Sequence, residues 1–407
     1  MNRFSVQRIL FLTLLILSVG CTESLKESVT AEKDEEAVKQ GTIKPAVHDE
    51  PALGPPTATH NPEPELDDDI AGPPSTPTPP PTTPPPSGPG GGTNPDVVGG
   101  GGVERHYFVA AEIVQWNYIP TALNQIEPSL GVSPWGDVAT YKKYRFIEYT
   151  DASYTQPKLQ PRWMGILGPE LRGTLGDVLV VHFTNRSDRP LSMHPHGVGH
   201  DVANDGADFE FNGMPGAHVA PGGSFVYRWY VDESSMPGPG ENVSSKVWMY
   251  HSAVDAVGDI YAGLIGTIIV TKPEMIRGPD NLKPIDVDHE YTALFMVFDE
   301  EGGEEGGLMH AMNGYLFGNL EGYVANVGHR IRWHVLGLGT EVDLHTAHWH
   351  GNTVITNTGV RTDVIELMPA SMISVTMLAN NPGHWLFHCH VADHMTAGMM
   401  ARYNIQL

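Results

Sequence analysis

Cysteine is scarce in this sequence, whose 407 residues include only Cys21 and Cys389. A disulfide framework is therefore excluded, and the fold has to be stabilised by its hydrophobic core, by metal ions or by assembly. Basic charge is scarce as well, because 24 lysines and arginines stand against 48 aspartates and glutamates, for a formal net charge of −24. The absence of a basic patch argues against nucleic acid as a partner.

Long hydrophobic runs are also missing. The run Ile9–Val19 is too short to span a bilayer comfortably, and basic residues precede it as in an export signal. It ends at Gly20-Cys21, which is typical of a bacterial lipoprotein cleavage site. We expect residues 1–21 to be a signal peptide. Lipid on Cys21 would anchor an exported protein, periplasmic or at the cell surface, to a membrane without spanning it. The alternative is an ordinary cleaved signal with an incidental cysteine.

Residues 22–102 lack the composition of a folded domain. Acidic stretches lead into Pro77–Pro86 and then into Gly99–Gly102. Proline-rich chain is extended and semi-stiff, and glycine-rich chain is flexible. We expect a disordered tether that carries no chemistry of its own.

Helical periodicity is absent from the rest of the chain. From Val103 onward, short apolar runs are broken by glycine, proline and asparagine, which is typical of an all-β sandwich or barrel. The runs are Val178–Phe183, Phe225–Trp229, Leu264–Val270 and Thr292–Phe298. Residues 273–286 predict a joint, so we expect two β-domains over residues 103–272 and 287–407.

The C-terminal stretch combines a cysteine, histidines and a methionine. Cys389, His394 and Met399 offer a thiolate, an imidazole and a thioether, which belong to the ligand set of an electron-transferring blue copper. On a β-strand, residues two apart share a side. His388 and His390 therefore face away from Cys389, and we expect them to bind other metal ions a few covalent bonds from the blue copper.

Further histidine groups precede this stretch. They are His194-Pro195-His196, His251 within Tyr250–Ala253, and His345-Thr346-Ala347-His348-Trp349-His350. The first half ends, like the second, in a histidine-bearing strand, a glycine turn and an apolar final strand. It has neither the cysteine nor the methionine, so it cannot bind a blue copper of its own.

In their order these residues resemble the multicopper oxidases, and they are most similar to the ceruloplasmin and hephaestin group. The resemblance covers nearly all of residues 103–407 and includes Gly165–Pro169, Met309–Tyr315 and Asp343–His348. With two domains the chain is also similar to bacterial two-domain laccases whose blue copper is in the second domain. The resemblance implies cupredoxin-like Greek-key β-sandwich or barrel domains and an oxidase. Such an oxidase takes single electrons from a donor and reduces dioxygen to water.

The resemblance also implies copper ligands, for up to four ions per chain. Type 1 copper would be bound by His345, Cys389 and His394, with Met399 axial. Type 2 copper would be bound by His194 and His348. The paired type 3 coppers would be bound by His196, His251, His350, His388 and His390. Cys389, His388 and His390 would carry electrons between the centres.

One position departs from the family pattern. The second motif is His-Ser-His in the family and reads His251-Ser252-Ala253 here, so one type 3 ligand is missing. Either the site keeps four coppers with a more open type 3 ion, or a nearby group such as His200 substitutes, or the cluster fails to fill. In the last case the protein is a tethered blue-copper electron carrier or copper binder. A copper nitrite reductase is disfavoured, because it needs the cysteine in the first domain.

The partners follow from the same resemblance. In two-domain relatives the cluster forms head-to-tail between neighbouring chains, which implies a homotrimer, with a monomer as the alternative. Asp363, Glu300 and Glu301 are candidate ligands for Fe(II) or Mn(II), which prefer oxygen. Phenolic or aromatic donors would need an accessible edge of His345 or His394.

Three smaller expectations concern side chains near the ligands. Asp343 and Asp393 are candidate hydrogen-bond acceptors for the type 1 histidines, or else simple loop carboxylates. Methionines at 309, 312, 395, 399 and 400 suggest Cu(I) as a third possible donor, although filling of a core is their commoner role.

Overall fold

The computed structural model describes residues 102–209, 213–302, 304–340 and 343–407. The predicted signal peptide, Cys21 and the tether up to residue 101 lie outside these ranges. Within them, no helix has the length and apolar character needed to cross a membrane.

The first half contains two four-stranded sheets. One has the order β2-β1-β4-β6 and the other β3-β8-β7-β5. Their strands are β1 (Glu104–Asn117), β2 (Thr140–Tyr149), β3 (Glu170–Gly173), β4 (Val178–Asn185), β5 (His194–Pro195), β6 (Ser224–Tyr230), β7 (Ser245–His251) and β8 (Ile265–Thr271). All seven residues of β8 are buried, as expected for a strand covered on both faces.

The second half repeats this plan with larger sheets, in the orders β12-β11-β14-β19-β16-β17 and β13-β21-β20-β15-β18. Their strands are β11 (His289–Asp299), β12 (Leu308–Met312), β13 (Val324–Asn326), β14 (Arg330–Gly337), β15 (His345–Trp349), β16 (Val354–Ile355), β17 (Arg361–Thr362), β18 (Val364–Leu367), β19 (Ser371–Leu378), β20 (Gly383–Cys389) and β21 (Met400–Gln406). The predicted all-β fold is confirmed.

Short elements complete the described chain. The predicted joint contains a small hairpin of β9 (Ile276–Gly278) and β10 (Asn281–Pro284). The α-helices in the described ranges are single turns, α1 (Gly258–Tyr261) and α2 (Ala392–Thr396). Turns of 3-10 helix lie at Pro128–Leu130, Arg162–Met164, Val202–Asn204, Glu233–Ser235, Pro273–Met275 and Glu305–Gly307.

Strand β11 connects two hydrophobic cores. Ala293, Phe295 and Val297 point into the core of the second half, whereas the alternate residues 294, 296 and 298 enter a core shared with the first half. This division follows from the two-residue period of a strand. Residues of β7 and β8 form the other side of the shared core. The two halves therefore pack against each other through continuous apolar surface.

A buried polar network crosses the same contact. Arg332, 1% exposed, donates to the Ser245 carbonyl oxygen at 3.1 Å. Glu290 pairs with Arg172 at 2.8 Å and with His334 Nε2 at 3.1 Å. Because buried charges are costly unless they are paired, this network specifies one arrangement of the two halves.

Candidate metal centres

The Cys389 cluster consists of Cys389, His345 and His394. Strand β20 ends at Cys389, β15 begins at His345, and α2 contains His394. The Cys389 sulfur lies 3.9 Å from His345 Nδ1 and 3.7 Å from His394 Nδ1, and the two nitrogens are 3.1 Å apart. A thiol and two imidazole nitrogens converging at these distances fit a copper ion.

Burial gives this cluster its chemistry. Cys389 is fully buried, and His345 and His394 are 1% and 4% exposed. Burial lowers the pKa of His394 to about 4, which keeps the imidazole in the neutral form that binds metal. Burial raises the pKa of the Cys389 thiol, and a bound cation would favour its thiolate.

Main-chain hydrogen bonds hold Met399 beside this cluster. The Cys389 amide donates to the Met399 carbonyl oxygen at 3.1 Å, and the Met399 amide donates to the His394 carbonyl oxygen at 3.0 Å. Met399 is fully buried and packs in the same core as Cys389. Met399 thus lies in the core around the cluster, and its role as the axial ligand stays a prediction.

The two aspartates near the cluster differ, although sequence reasoning treated them alike. Asp343 is fully buried, accepts hydrogen bonds from the Val297 and Thr340 amides at 2.7 Å each, and lies 3.5 Å from His345 Nε2. Its carboxylate therefore lies next to the His345 ring, although no hydrogen bond joins the two in the structure. Asp393 is an exposed carboxylate next to His394.

A second cluster forms on the same strands as the first. His348 on β15 pairs across from His388 on β20, and their nearest ring nitrogens are 3.1 Å apart. His350 Nε2 lies 3.0 Å from His388 Nε2. The His388 Nδ1–H donates to the Cys389 carbonyl oxygen at 2.7 Å, which leaves Nε2 for a metal. His390 is exposed, with its ring 5.1 Å from that of His348.

The first half supplies a third cluster. His194 on β5 pairs across from His251 on β7, and His196 Nε2 lies 3.0 Å from His251 Nε2. The Nδ1–H of His251 donates to the Ser252 carbonyl oxygen at 2.8 Å, and that of His194 to the Asp205 carbonyl oxygen at 2.7 Å. Both rings therefore present Nε2. Burial lowers the pKa of His196 to about 4.

The position of Ala253 matches that of His390. The Ala253 amide donates to Ser192 Oγ at 3.0 Å, as the His390 amide donates to Thr346. His200, the predicted substitute ligand, has other partners. Its ring nitrogens contact the Val198 carbonyl oxygen at 2.9 Å and Asp205 Oδ1 at 2.8 Å. His200 thus supports Asp205 and does not fill the place beside Ala253.

The third cluster stands apart from the second. Among the residues that the structure describes, no hydrogen bond, ring contact or three-ligand group joins a histidine of residues 194–251 to one of residues 348–390. One chain therefore presents two separate three-histidine half-sites.

Two of the three predicted substrate carboxylates, Glu300 and Asp363, have surroundings that differ from the prediction. Glu300, 9% exposed, pairs with the buried amine of Lys143 and accepts a hydrogen bond from the Tyr118 hydroxyl. Asp363 lies 3.8 Å from His348 Nε2, beside the second cluster. We predicted a position beside the Cys389 cluster instead. The exposed Glu301 accepts from Tyr141 at 3.2 Å and remains available at the surface.

The two histidines of the Cys389 cluster are also less accessible than predicted. Since His345 and His394 are both buried, neither offers an edge to a donor. Sequence reasoning missed His310, whose ring centroid lies 5.0 Å from that of His394. Its membership of the Met309–Tyr315 stretch was the available signal, but only the β11–β12 pairing shows where its side chain lies.

The fold and these clusters define a cupredoxin-type copper protein. A family model described as multicopper oxidase matches residues 162–275, and a second with the same description matches residues 292–406. Together they match more than half of the chain. The chain belongs to the multicopper oxidase family, which confirms the predicted family and the copper cofactor.

Individual relatives agree with this membership. Human hephaestin is 36% identical across 74% of this chain, human ferroxidase HEPHL1 is 35% identical and human ceruloplasmin is 32% identical. The chain spans about 30% of the length of these relatives. A blue copper oxidase structure from Nitrosomonas europaea matches 74% of this chain and 86% of its own, with a TM-score of 0.53 and 19% identity, which shows the fold.

Proposed function

We propose that this protein is a copper oxidase that takes single electrons from a phenolic or aromatic donor or from Fe(II) and reduces dioxygen to water. The Cys389 cluster with Met399 would hold type 1 copper. His194 and His348 would hold type 2 copper. The type 3 pair would be held by the remaining cluster histidines: His196, His251, His350, His388 and His390. Bound copper supplies the one-electron redox chemistry and the affinity for oxygen.

One observation carries this proposal: strand β20 places Cys389 in one cluster and His388 in the other. The His388 Nδ1–H also donates to the Cys389 carbonyl oxygen at 2.7 Å. Covalent bonds and this hydrogen bond therefore connect the electron-accepting cluster to the oxygen-reducing one. An electron carrier would need no histidines beyond those beside Cys389.

The separation of the half-sites supports assembly between chains. Each half-site has its own group of three imidazoles, with His390 beside the second, and the proposed ligand set takes histidines from both. The first half of one chain facing the second half of its neighbour would complete the site, and head-to-tail contacts of this kind close into rings. We propose a homotrimer, exported and held at a membrane surface by lipid on Cys21.

Two donor classes are consistent with the surface. Asp393 and Glu301 are exposed carboxylates, a ligand type that Fe(II) prefers, and a relative bears the name ferroxidase. Aromatic donors need only a surface that is electronically coupled to the Cys389 cluster.

Ala253 favours one competing function, that of a tethered blue-copper carrier whose cluster does not fill. The test is the copper content and oligomeric state of the full-length protein after copper loading. Four coppers per chain in a trimer would agree with the oxidase. One copper per chain, with blue absorbance and no oxygen uptake, would establish the carrier.

A further inference from the structure

Two pairs of histidines lie away from the three clusters. In the first half His106 Nδ1 is 2.9 Å from His182 Nε2, and in the second half His289 Nε2 is 2.9 Å from His329 Nδ1. Two imidazole nitrogens bound to one ion are about 2.9 Å apart when they coordinate at a right angle and about 3.3 Å apart at a tetrahedral one. Both pairs therefore meet the distance requirement of a metal ion, and their surroundings decide between them.

The first-half pair lies on the outer face of a sheet. His106 is on β1 and His182 on β4, and the parallel pairing of these strands places His182 directly across from Phe108. The Phe108 ring stacks on the His182 ring, with centroids 4.7 Å apart and planes at 21°. His182 is half-buried, whereas the side chain of His106 is 48% exposed. Because strand pairing fixes the main chain of both residues, an ion arriving from solvent would find its two ligands already adjacent.

A carboxylate stands behind the first-half pair. Glu104 Oε2 lies 3.6 Å from His106 Nε2, so the two ring nitrogens of His106 face different partners, His182 and Glu104. The other oxygen of Glu104 pairs with Arg228 on β6. With an ion on Nδ1, the proton of the neutral His106 ring sits on Nε2, towards the carboxylate. A carboxylate in this place fixes the tautomer and raises the basicity of a metal-binding histidine.

The second-half pair has positive neighbours instead. Burial, the adjacent His329 and the charges of Lys283 and Arg277 lower the pKa of His289, against the opposite effect of Asp288. Positive charge that opposes protonation of a ring also opposes the approach of a metal cation. Of two pairs with the same nitrogen–nitrogen distance, the first-half pair is therefore the better cation site.

We propose that His106 and His182 bind one divalent metal ion of the class that prefers imidazole, and that Glu104 supports His106 as the carboxylate behind the ligand. Water completes the coordination, because the His106 side chain faces solvent. The ion would link β1 to β4 through residues that are 76 positions apart in sequence. This site takes no residue from the three clusters, so it does not depend on the proposed function.

Binding is tested on the full-length, copper-loaded protein after a brief EDTA treatment that removes exposed ions. Calorimetric titration with Zn(II) counts the sites that remain, because zinc binds such ligands less tightly than copper and leaves copper in place. We expect His106→Gln and His182→Gln each to bind one zinc ion fewer per chain than the wild type. His289→Gln is the matched control and should bind as many as the wild type. Equal zinc counts in the wild-type and His182→Gln proteins would overturn the site.

Two further measurements test the ligands and the carboxylate. X-ray absorption at the zinc edge should show two imidazoles and oxygen ligands around the bound ion. Three or more imidazoles would place the ion in one of the clusters and overturn the site. We expect Glu104→Gln to weaken zinc binding roughly tenfold, because the variant removes the charge behind His106. Unchanged affinity in the Glu104→Gln protein would remove the supporting role of Glu104.

Discussion

The two halves of this protein share one main-chain frame and differ in what it holds. In the second half the Met399 amide donates to the His394 carbonyl oxygen at 3.0 Å, and the Cys389 amide to that of Met399 at 3.1 Å. In the first half the Leu264 amide donates to the Asp259 carbonyl oxygen at 3.1 Å, and the Ser252 amide to that of Leu264 at 3.2 Å. Ser252, Asp259 and Leu264 thus occupy the places of Cys389, His394 and Met399.

The first-half counterpart of the Cys389 cluster is filled by a polar pair. Ser252 Oγ donates to Asp259 Oδ2 at 2.5 Å, and Asp259 Oδ1 lies 2.8 Å from an Arg189 nitrogen. Leu191, which precedes Ser192 as His345 precedes Thr346, is fully buried. In the first half, an ion pair and leucines fill the pocket that in the second half contains Cys389, His394 and Met399. The frame alone therefore does not determine whether a half binds type 1 copper.

The largest expected effect comes from removing the sulfur that distinguishes the second half. We expect Cys389→Ser to abolish blue absorbance and donor oxidation together, because a serine hydroxyl does not replace a thiolate as a copper ligand. Visible absorption and oxygen uptake are the measurements. Cys21→Ser is the matched control and should keep both. Persistent blue colour in the Cys389→Ser protein would refute the ligand assignment.

The reverse change moves the ligand set into the first half. We expect the quadruple variant Leu191→His, Ser252→Cys, Asp259→His and Leu264→Met to bind one additional copper per chain and roughly to double the blue absorbance. Arg189, 35% exposed, can turn to solvent when Asp259 is replaced. The triple variant that keeps Ser252 is the control. A folded quadruple variant without a second blue site would show that the frames are not equivalent.

The next largest effect should come from changing Asp205, the residue that contacts two histidines of the first half. Asp205 accepts from His194 through its carbonyl oxygen and from His200 through its side chain. We expect Asp205→Asn to weaken copper binding at the half-site of His194 by roughly tenfold, because it removes the carboxylate charge that lies 3.5 Å from His194 Nδ1 and pairs with His200, while the main-chain acceptor remains. Competition with a copper chelator measures this. Asp188→Asn, at an exposed carboxylate, should leave affinity unchanged, and equal affinities would remove the role of Asp205.

The smallest expected effect restores a histidine to the first half. We expect Ala253→His to raise copper content per chain and to increase oxygen reduction by a few-fold. The reason is that the variant adds one imidazole ligand to the first-half site. Elemental analysis and oxygen uptake measure both. Ala253→Leu adds volume without a ligand and should raise neither. A drop in activity with histidine would mean that the native site is built around alanine.

The sequence predicts the parts of this protein that depend on neighbours along the chain. The runs Val178–Phe183 and Thr292–Phe298 fall within β4 and β11, because strand periodicity is local. Cys389 and His394, five residues apart in sequence, likewise come together in the folded cluster.

Contacts between distant segments could not be predicted in this way. Glu300 was a candidate ligand until the fold placed Lys143, 157 residues away in sequence, against it. The burial of His394 beneath His310 depends on strand pairing in the same manner. Neither contact has a local signature, since each arises from the register of strands that only the folded sheet determines.

The shared frame also records a history. Main-chain hydrogen bonds do not depend on side-chain identity, so one copy could exchange its metal ligands while its final turn and strand persisted. We infer that the halves descend from one duplicated ancestral unit within a single gene. In the first half, Leu191, Ser252, Asp259 and Leu264 stand at the four ligand positions, and the main-chain frame persists around them.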